Sequence, residues 1–474
     1  MSSKMMRHVV LVIFMFSLLL PGTGTFAAPA EKLDIEGRML HRRAVAAAIW
    51  GMPLVGIRSF LTATRRDLGG DWNDIIYFSR PMVSRHGFLT ANNQTPYVVA
   101  SLSTKQGALV VEIPPATDKA KLFGSFVDIW QQPITDVGPK GADRGKGGKY
   151  LFLPPGYGGE IPEGYLVFRP CSYAVYVALR PVPGEGASLA EVVAYGKQVR
   201  VYPLSKAHYP PPTRYIDAYP HKWDTLPKYD LSFYKLIAEV INEEPVQSRD
   251  LAMMGLLASL GIEKGKPFTP DARTRKILTA AVQEAHEYLQ WMFETQSFRR
   301  YFPDRQWSVF NLPREQARRG WPFMTRNRML IDLRANMYHF VTFMPKKPGA
   351  AAAVAVTLYD AAGQPLNGRS TYRLRVPKEM PARDFWSVIA YSFATHGFIE
   401  GARRVGISSL ILDQVDRNED GSVDIYFAPQ PPPGHERNWI QTGERFWVGL
   451  RLYGPQKLLL ATKRWSLGDL EVVR

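Results

Sequence analysis

Short apolar runs closed by proline or glycine dominate the first half of the chain. Leu109, Val110, Val111 and Ile113 precede Pro114-Pro115; 165–168 runs up to Pro170; 173–179 is rich in Val and Tyr and stops at Pro181; 199–202 follows. Such punctuated, β-branched and aromatic runs predict strands of a sandwich or barrel. Residues 44–68 predict a helical lead-in. The pattern then changes period. Leu236, Ile237, Val240 and Ile241 share one helical face, 251–260 predicts a second helix stopped by Gly261, and Thr269-Pro270-Asp271 opens a third with Ile277, Leu278, Ala281, Ala285, Leu289 and Met292 on one face. From residue 301 the β pattern returns, with strands expected over 338–344, 354–358, 372–376, 385–391, 423–427 and 446–453. In the last, Phe446, Val448, Leu450 and Leu452 form one face.

The order is β, then α, then β, without the βαβ alternation of a parallel sheet. The expected fold is mainly β: a β-sandwich domain with its helical lead-in over 28–228, a helical segment over 229–300, and a second β domain over 301–474. A chain of 474 residues is too long for one compact core, and 46% hydrophobic with 22% charged residues excludes disorder and coiled coil.

The N-terminus has the pattern of a secretory leader over 1–27. Lys4 and Arg7 precede an apolar run over 9–20, and Thr25-Phe26-Ala27 fits a small-x-small cleavage site. Twelve residues fall short of the roughly 20 that span a bilayer. A periplasmic or secreted location is expected, with no stable membrane span after cleavage and no other long, charge-free apolar stretch. The formal charge is +16; losing Lys4 and Arg7 leaves +14. The positive charge is spread without runs, and no nucleic-acid motif occurs. An anionic small molecule or glycan is therefore the expected partner, with a homo-oligomer compatible and nucleic acid excluded. Cys171 is the only cysteine, so neither an intramolecular disulfide nor a cysteine zinc site can form. Its apolar neighbours favour a buried structural thiol.

Known catalytic patterns fail on spacing. Gly145-Lys146 and Gly148-Lys149 have Lys140 and Asp143 where a phosphate loop needs glycine, and Tyr150 stands where Ser or Thr would meet magnesium. The loop still offers Lys146 and Lys149 to an anion. Asp416 to Asp424 resembles a calcium loop, but Phe427 occupies the position of the bidentate Glu, so a hairpin turn is expected. His286-Glu287 and His435-Glu436 lack the second His of a zinc protease, and no Gly-x-Ser-x-Gly elbow exists. No metal, no cofactor and no catalytic residue is assigned. Polar clusters between apolar residues supply ligand-binding candidates: Asn93, Thr95 and Tyr97; Trp130 and Asp136; Lys146, Lys149 and Tyr150; Asp332 and Arg334. If 332–336 were a strand, Asp332, Arg334 and Asn336 would share a face, where an inward ion pair costs desolvation unless it is matched.

Several of these segments resemble a family. Asn93 to Tyr97, Trp130, Gly145 to Leu151 and Leu153-Pro154-Pro155-Gly156-Tyr157 resemble bacterial proteins carrying domain of unknown function 1254. Tyr372-Arg373-Leu374, Phe385-Trp386-Ser387, Asp420-Gly421-Ser422, Asn438-Trp439 and Leu450 to Pro455 resemble domain of unknown function 1214, and 260–268 resembles the linker between the two. The resemblance implies two β-sandwich, jelly-roll-like domains joined by a helical segment, in the periplasm or outside the cell. It names no chemistry. Many relatives have Asn-Asp-Thr where this chain has Asn93-Gln94-Thr95, and Gln94 cannot serve as a general acid or base. Two readings follow: an exported envelope protein binding an anionic or carbohydrate-like ligand, or a hydrolase or lyase using Tyr97, Asp136, Lys149, Tyr150, Asp332 and Arg334 on an acidic substrate.

Overall fold

The computed structural model describes residues 33–312, 321, 323–347, 352–456, 465 and 467–473. The leader expected over 1–27 lies outside them. Among the described residues the fold is mainly β, with four sheets and six helices.

Two sheets belong to the first half. A six-stranded sheet runs in the order Tyr215–Asp217, Ile75–Tyr77, Val98–Ser103, Ala174–Pro183, Ala120–Asp128, Pro133–Val137. A four-stranded one runs Tyr165–Phe168, Gly148–Phe152, Leu109–Ile113, Arg200–Pro203. Alternation puts Leu102, Phe126 and Val177 of the first sheet and Val111, Tyr150 and Phe152 of the second into one shared core. The second half repeats this 6 + 4 arrangement. One sheet orders Phe298–Arg300, Ser308–Phe310, Ala352–Thr357, Phe446–Pro455, Ala382–Ser392 and Gly406–Ser408; the other orders Trp439–Gln441, Val423–Ala428, Thr371–Val376 and Glu471–Val473.

The helices are α1 (Ile35–Leu68), α2 (Leu189–Gly196), α3 (Leu231–Glu243), α4 (Leu251–Ala258), α5 (Ala272–Thr295) and α6 (Ile331–Phe340). Asp34 caps α1 by accepting from the Gly37 N–H at 2.7 Å, and Gly69, at φ 60°, ends it. α1 is long and apolar enough to cross a membrane by length and composition, yet 83% of its apolar window is buried inside the protein. The expectation of no second long apolar stretch is thereby corrected. Residues 44–57 of α1 are apolar all round because α3, α5 and α6 pack against the helix, and one core joins it to both halves.

Residues 332–336, whose alternation would suit a strand, form helix α6, and residues 338–340 of the strand expected at 338–344 belong to it too. Arg334 to Phe340 are buried without interruption. A helix enclosed on every side shows no 3.6-residue period, so its alternating polar residues imitate a strand. The consequence is that Asp332 is exposed and Arg334 fully buried, rather than side by side.

Candidate functional site

The first half's six-stranded sheet faces the second half's across a cavity of about 320 Å³. Small residues make the room: Gly124, Ser125 and Ala178 on one sheet, Ala352 and Ala353 on the other. A Cβ on Gly124 would lie 2.1 Å from the Ala178 carbonyl oxygen, so glycine is required there. Phe88, Phe123, Phe310, Phe343 and Met337 wall the cavity. Around it the halves are tied by Val182 packing with Phe385 and Tyr453, by Lys121 to Asp384 at 3.2 Å, and by Lys346 Nζ donating to the Ile134 carbonyl at 2.9 Å.

Two arginines reach this otherwise apolar space. Arg180 closes the Val/Tyr-rich strand Ala174–Pro183. Its Nε donates to the Tyr97 hydroxyl at 3.0 Å, and its guanidinium lies 5.3 Å from the centre of the Tyr97 ring. Arg451 interrupts the apolar strand Phe446–Pro455. It donates to the carbonyls of Thr90 and, at 3.2 Å, Ala91. Alternation explains its direction: Phe446, Val448, Leu450 and Leu452 enter the main core, while Arg451 and Tyr453 point to the cavity. Burial opposes the charge on both arginines, but phenols of Tyr97, Tyr391 and Tyr453 surround them and the net effect favours the charged form. Among the described residues neither has a carboxylate partner. The cavity's one carboxylate, Asp136, is already satisfied: it accepts from Ser125 Oγ at 2.8 Å and from the backbone N–H groups of Lys346 and Lys347 at 2.8 and 2.9 Å. Lys140 and Lys347, both exposed, add positive charge at the mouth. The hydroxyls of Tyr453 and Thr342 are buried without a partner among the described residues.

Two of the cavity residues are strained. Thr90 (φ 51°) and Phe343 (φ 54°) hold left-handed backbone that β-branched and bulky residues rarely adopt. Thr90 is held there by Arg451, by its hydroxyl donating to the Phe340 carbonyl, and by its N–H donating to the His396 carbonyl at 2.8 Å.

The sequence-derived candidates distribute unevenly. Tyr97 and Asp136 line the cavity. Asn93 and Thr95 are not among its lining residues; their loop meets the second half through Gln94. Asn93 Oδ1 accepts from Gln94, whose own carbonyl oxygen accepts from Ser408 of the second half, and Thr95 Oγ1 accepts from Asn92 at 3.3 Å. Trp130 and Arg334 meet elsewhere, beneath α1. The Arg334 guanidinium lies 5.2 Å from the Trp130 ring centre and donates to the Trp50 carbonyl at 2.7 Å. Burial there pulls Arg334 down to about 10, so it stays charged at neutral pH. Lys146 and Lys149 point to solvent, and Tyr150 points the opposite way from Lys149, into the sandwich core between Phe126 and Phe168. Asp332 accepts from Tyr288 on the surface at 3.2 Å. The six residues of the catalytic reading therefore do not converge. Arg180, Arg451 and Tyr453 were missed. The available signal was a single arginine inside each of two strongly apolar strands.

Among the described residues, no three His, Cys, Asp or Glu side chains converge on a position for a metal ion. Asp416 and Asp420 pair instead with Arg437 and Arg375. Cys171 Sγ donates to Asp128 at 3.2 Å, and burial, reinforced by that carboxylate, pushes its thiol up to about 12. It should be alkylated by iodoacetamide at pH 8 at least tenfold more slowly than glutathione in the folded protein, and at the glutathione rate in 6 M guanidinium. Equal rates in the native state would show an activated or accessible thiol.

Residues 72–203 match the family described as Protein of unknown function (DUF1254), and residues 351–457 match Protein of unknown function (DUF1214). The crystal structure of a protein from Vibrio parahaemolyticus shares the fold with a TM-score of 0.56 and 17% identity, over 92% of this chain and all of that one. An uncharacterised protein from Burkholderia cenocepacia aligns over 93% of this chain and 96% of its own at 12% identity, with a TM-score of 0.40. No curated protein matches the chain.

Proposed function

From the premise that this chain belongs to the proteins in which a DUF1254 region precedes a DUF1214 region, we propose that it is an exported binding protein that holds an anionic ligand in the cavity between its two halves. The observation that carries this is Arg180, a half-buried guanidinium opening on the cavity, which among the described residues has the Tyr97 phenol as its hydrogen-bond partner and no carboxylate partner. A cation taken out of water is costly unless its charge and donors are matched. A ligand oxyanion meets both needs through paired N–H groups. The leader pattern and the positive charge support export and an anionic partner. The shared core between paired sheets supports reading each half as a sandwich of the jelly-roll kind.

The test is a thermal-shift comparison of the wild type and Arg180→Met with acetate, octanoate, phosphate and gluconate at matched ionic strength. Ligands that bind only the folded state raise its melting temperature. At least one anion should shift the wild type by several degrees and leave the variant unmoved. No shift in the wild type, or equal shifts in both proteins, would reject an Arg180 anion site.

A further inference from the structure

We infer that the ligand is a single-headed amphipathic anion, an organic carboxylate with an unbranched or aromatic apolar body. Its oxyanion would sit on Arg180 and its body would run between the two sheets. This deepens the anion-site reading and rests on it.

Two polar groups bound the cavity: Arg180 with the Tyr97 and Tyr453 hydroxyls, and the mouth, where Lys140 and Lys347 lie beside the already satisfied Asp136. Arg180 and Tyr453 line the cavity together with Tyr97, and the Tyr453 hydroxyl has no hydrogen-bond partner among the described residues. Arg451 commits both of its terminal nitrogens to the Thr90 and Ala91 carbonyls, whereas Arg180 commits only its Nε, which leaves the two terminal nitrogens of Arg180 to provide the fork for a carboxylate. Between the two the walls are mainly Phe88, Phe310, Leu312, Met337, Phe343 and Met344, with the Thr342 hydroxyl among them. One hydroxyl cannot replace the water that a polyhydroxylated ligand would lose there. A dicarboxylate of the same length would bury its second charge among phenylalanines and methionines. Methionine lining tolerates bodies of differing shape. The volume, about 320 Å³, lies at the small end of ligand cavities, which suits a body of about eight to twelve carbons. A buried methylene contributes about 0.8 kcal/mol, or about fourfold in affinity.

The experiment is isothermal titration of the full chain with acetate, hexanoate, octanoate and decanoate, and with octanol, suberate and gluconate. Affinity should climb about fourfold per methylene up to octanoate. Octanol and suberate should each bind at least thirtyfold more weakly than octanoate, and gluconate should not bind. Ala353→Phe, which fills the space between the sheets, should weaken octanoate at least tenfold while its thermal shift with acetate matches the wild type. Gluconate or phosphate binding in an Arg180-dependent way, with octanoate no better than acetate, would overturn the amphipathic class and leave the anion site standing. Octanol equal to octanoate would overturn the role of the head group. Absence of binding by every anion would overturn both.

Discussion

Lowering the pH from 7 to 4 should remove several kcal/mol of stability, through a histidine cluster behind the cavity. His286 of α5, His339 of α6 and His396 of the turn after strand Ala382–Ser392 lie together, with ring centres 5.3 Å apart for the first pair and 4.8 Å for the second. Tyr229 stacks on His286 at 3.9 Å, and its hydroxyl meets His339 Nδ1 at 2.6 Å. Phe293, Phe340, Phe393 and Trp447 enclose His396, both of whose ring nitrogens are buried without a partner among the described residues. Burial holds all three below the usual imidazole value, His286 at about 4, His396 at about 3 and His339 well below it, and each additional charge would repel the others. These histidines are neutral in the fold and take up protons more readily in the unfolded chain. Their contribution is therefore complete above pH 6.5 and is lost as the pH falls towards 4 and then 3. At 1.36 kcal/mol per unit the loss approaches ~3 kcal/mol for His286 and ~5 for His396. Glu244 works in the opposite direction. Burial raises its carboxyl to about 6, against two backbone N–H groups that favour the anion, so acidification from 6 to 4.5 stabilises by ~2 kcal/mol. The histidines dominate. Urea unfolding between pH 7 and 4 should show a steep decline that is shallower by at least ~2 kcal/mol in His286→Phe, which keeps the stacking on Tyr229. His396→Asn, which suits the left-handed backbone there (φ 55°), should flatten it further. Parallel pH profiles for wild type and both variants would remove the cluster from the explanation.

Arg451→Met should cost ~2–4 kcal/mol at neutral pH. The substitution keeps most of the side-chain length in strand Phe446–Pro455 but leaves the Thr90 and Ala91 carbonyls without their cationic donor. Each such bond to a charged group is worth ~1.5–3 kcal/mol, and the Thr90 carbonyl stripped of this donor costs ~1–3, while the Ala91 carbonyl keeps the Tyr391 hydroxyl at 2.6 Å. The gain from no longer burying an arginine is smaller, because the two carbonyls and the face of Tyr391, 5.7 Å away, already offset that burial. Thr90 would also lose part of what holds its unfavourable φ. Arg451→Lys should recover only part of the loss, since a point charge cannot fork to two carbonyls. Urea midpoints with unchanged slope are the measurement. A methionine variant as stable as the wild type would show that the 90–91 segment keeps its shape without the arginine.

Much of the secondary structure was legible. Strands Tyr165–Phe168, Thr371–Val376, Val423–Ala428 and Phe446–Pro455 carry short β-branched or aromatic runs with turn residues at their ends, and α3 and α5 show one apolar face each. α6 was illegible because burial on all sides erases its period, and the length of α1 was underestimated because its first turns, with Glu36, Arg38, Arg42 and Arg43 largely exposed, precede the apolar run that begins at Ala44. The site was legible only in part. Tyr97 and Asp136 stood out as polar residues in apolar surroundings and do line the cavity. Lys149 and Tyr150 stood out equally, but a strand sends neighbours to opposite faces, one to solvent and one to the core.

The amino-acid sequence by itself determined the mainly β character, the helical middle and the membership shown by its two family regions, because these rest on local periodicity, turn chemistry and residue identity. Only the tertiary structure decided where a ligand has room and which charge awaits it. Arg180 and Arg451 lie about 270 residues apart in the chain, and each alone reads as one arginine in an apolar strand. They share a cavity because two six-stranded sheets face each other, with glycine and alanine where larger side chains would close the gap. That convergence is a property of long-range packing, and no local pattern encodes it.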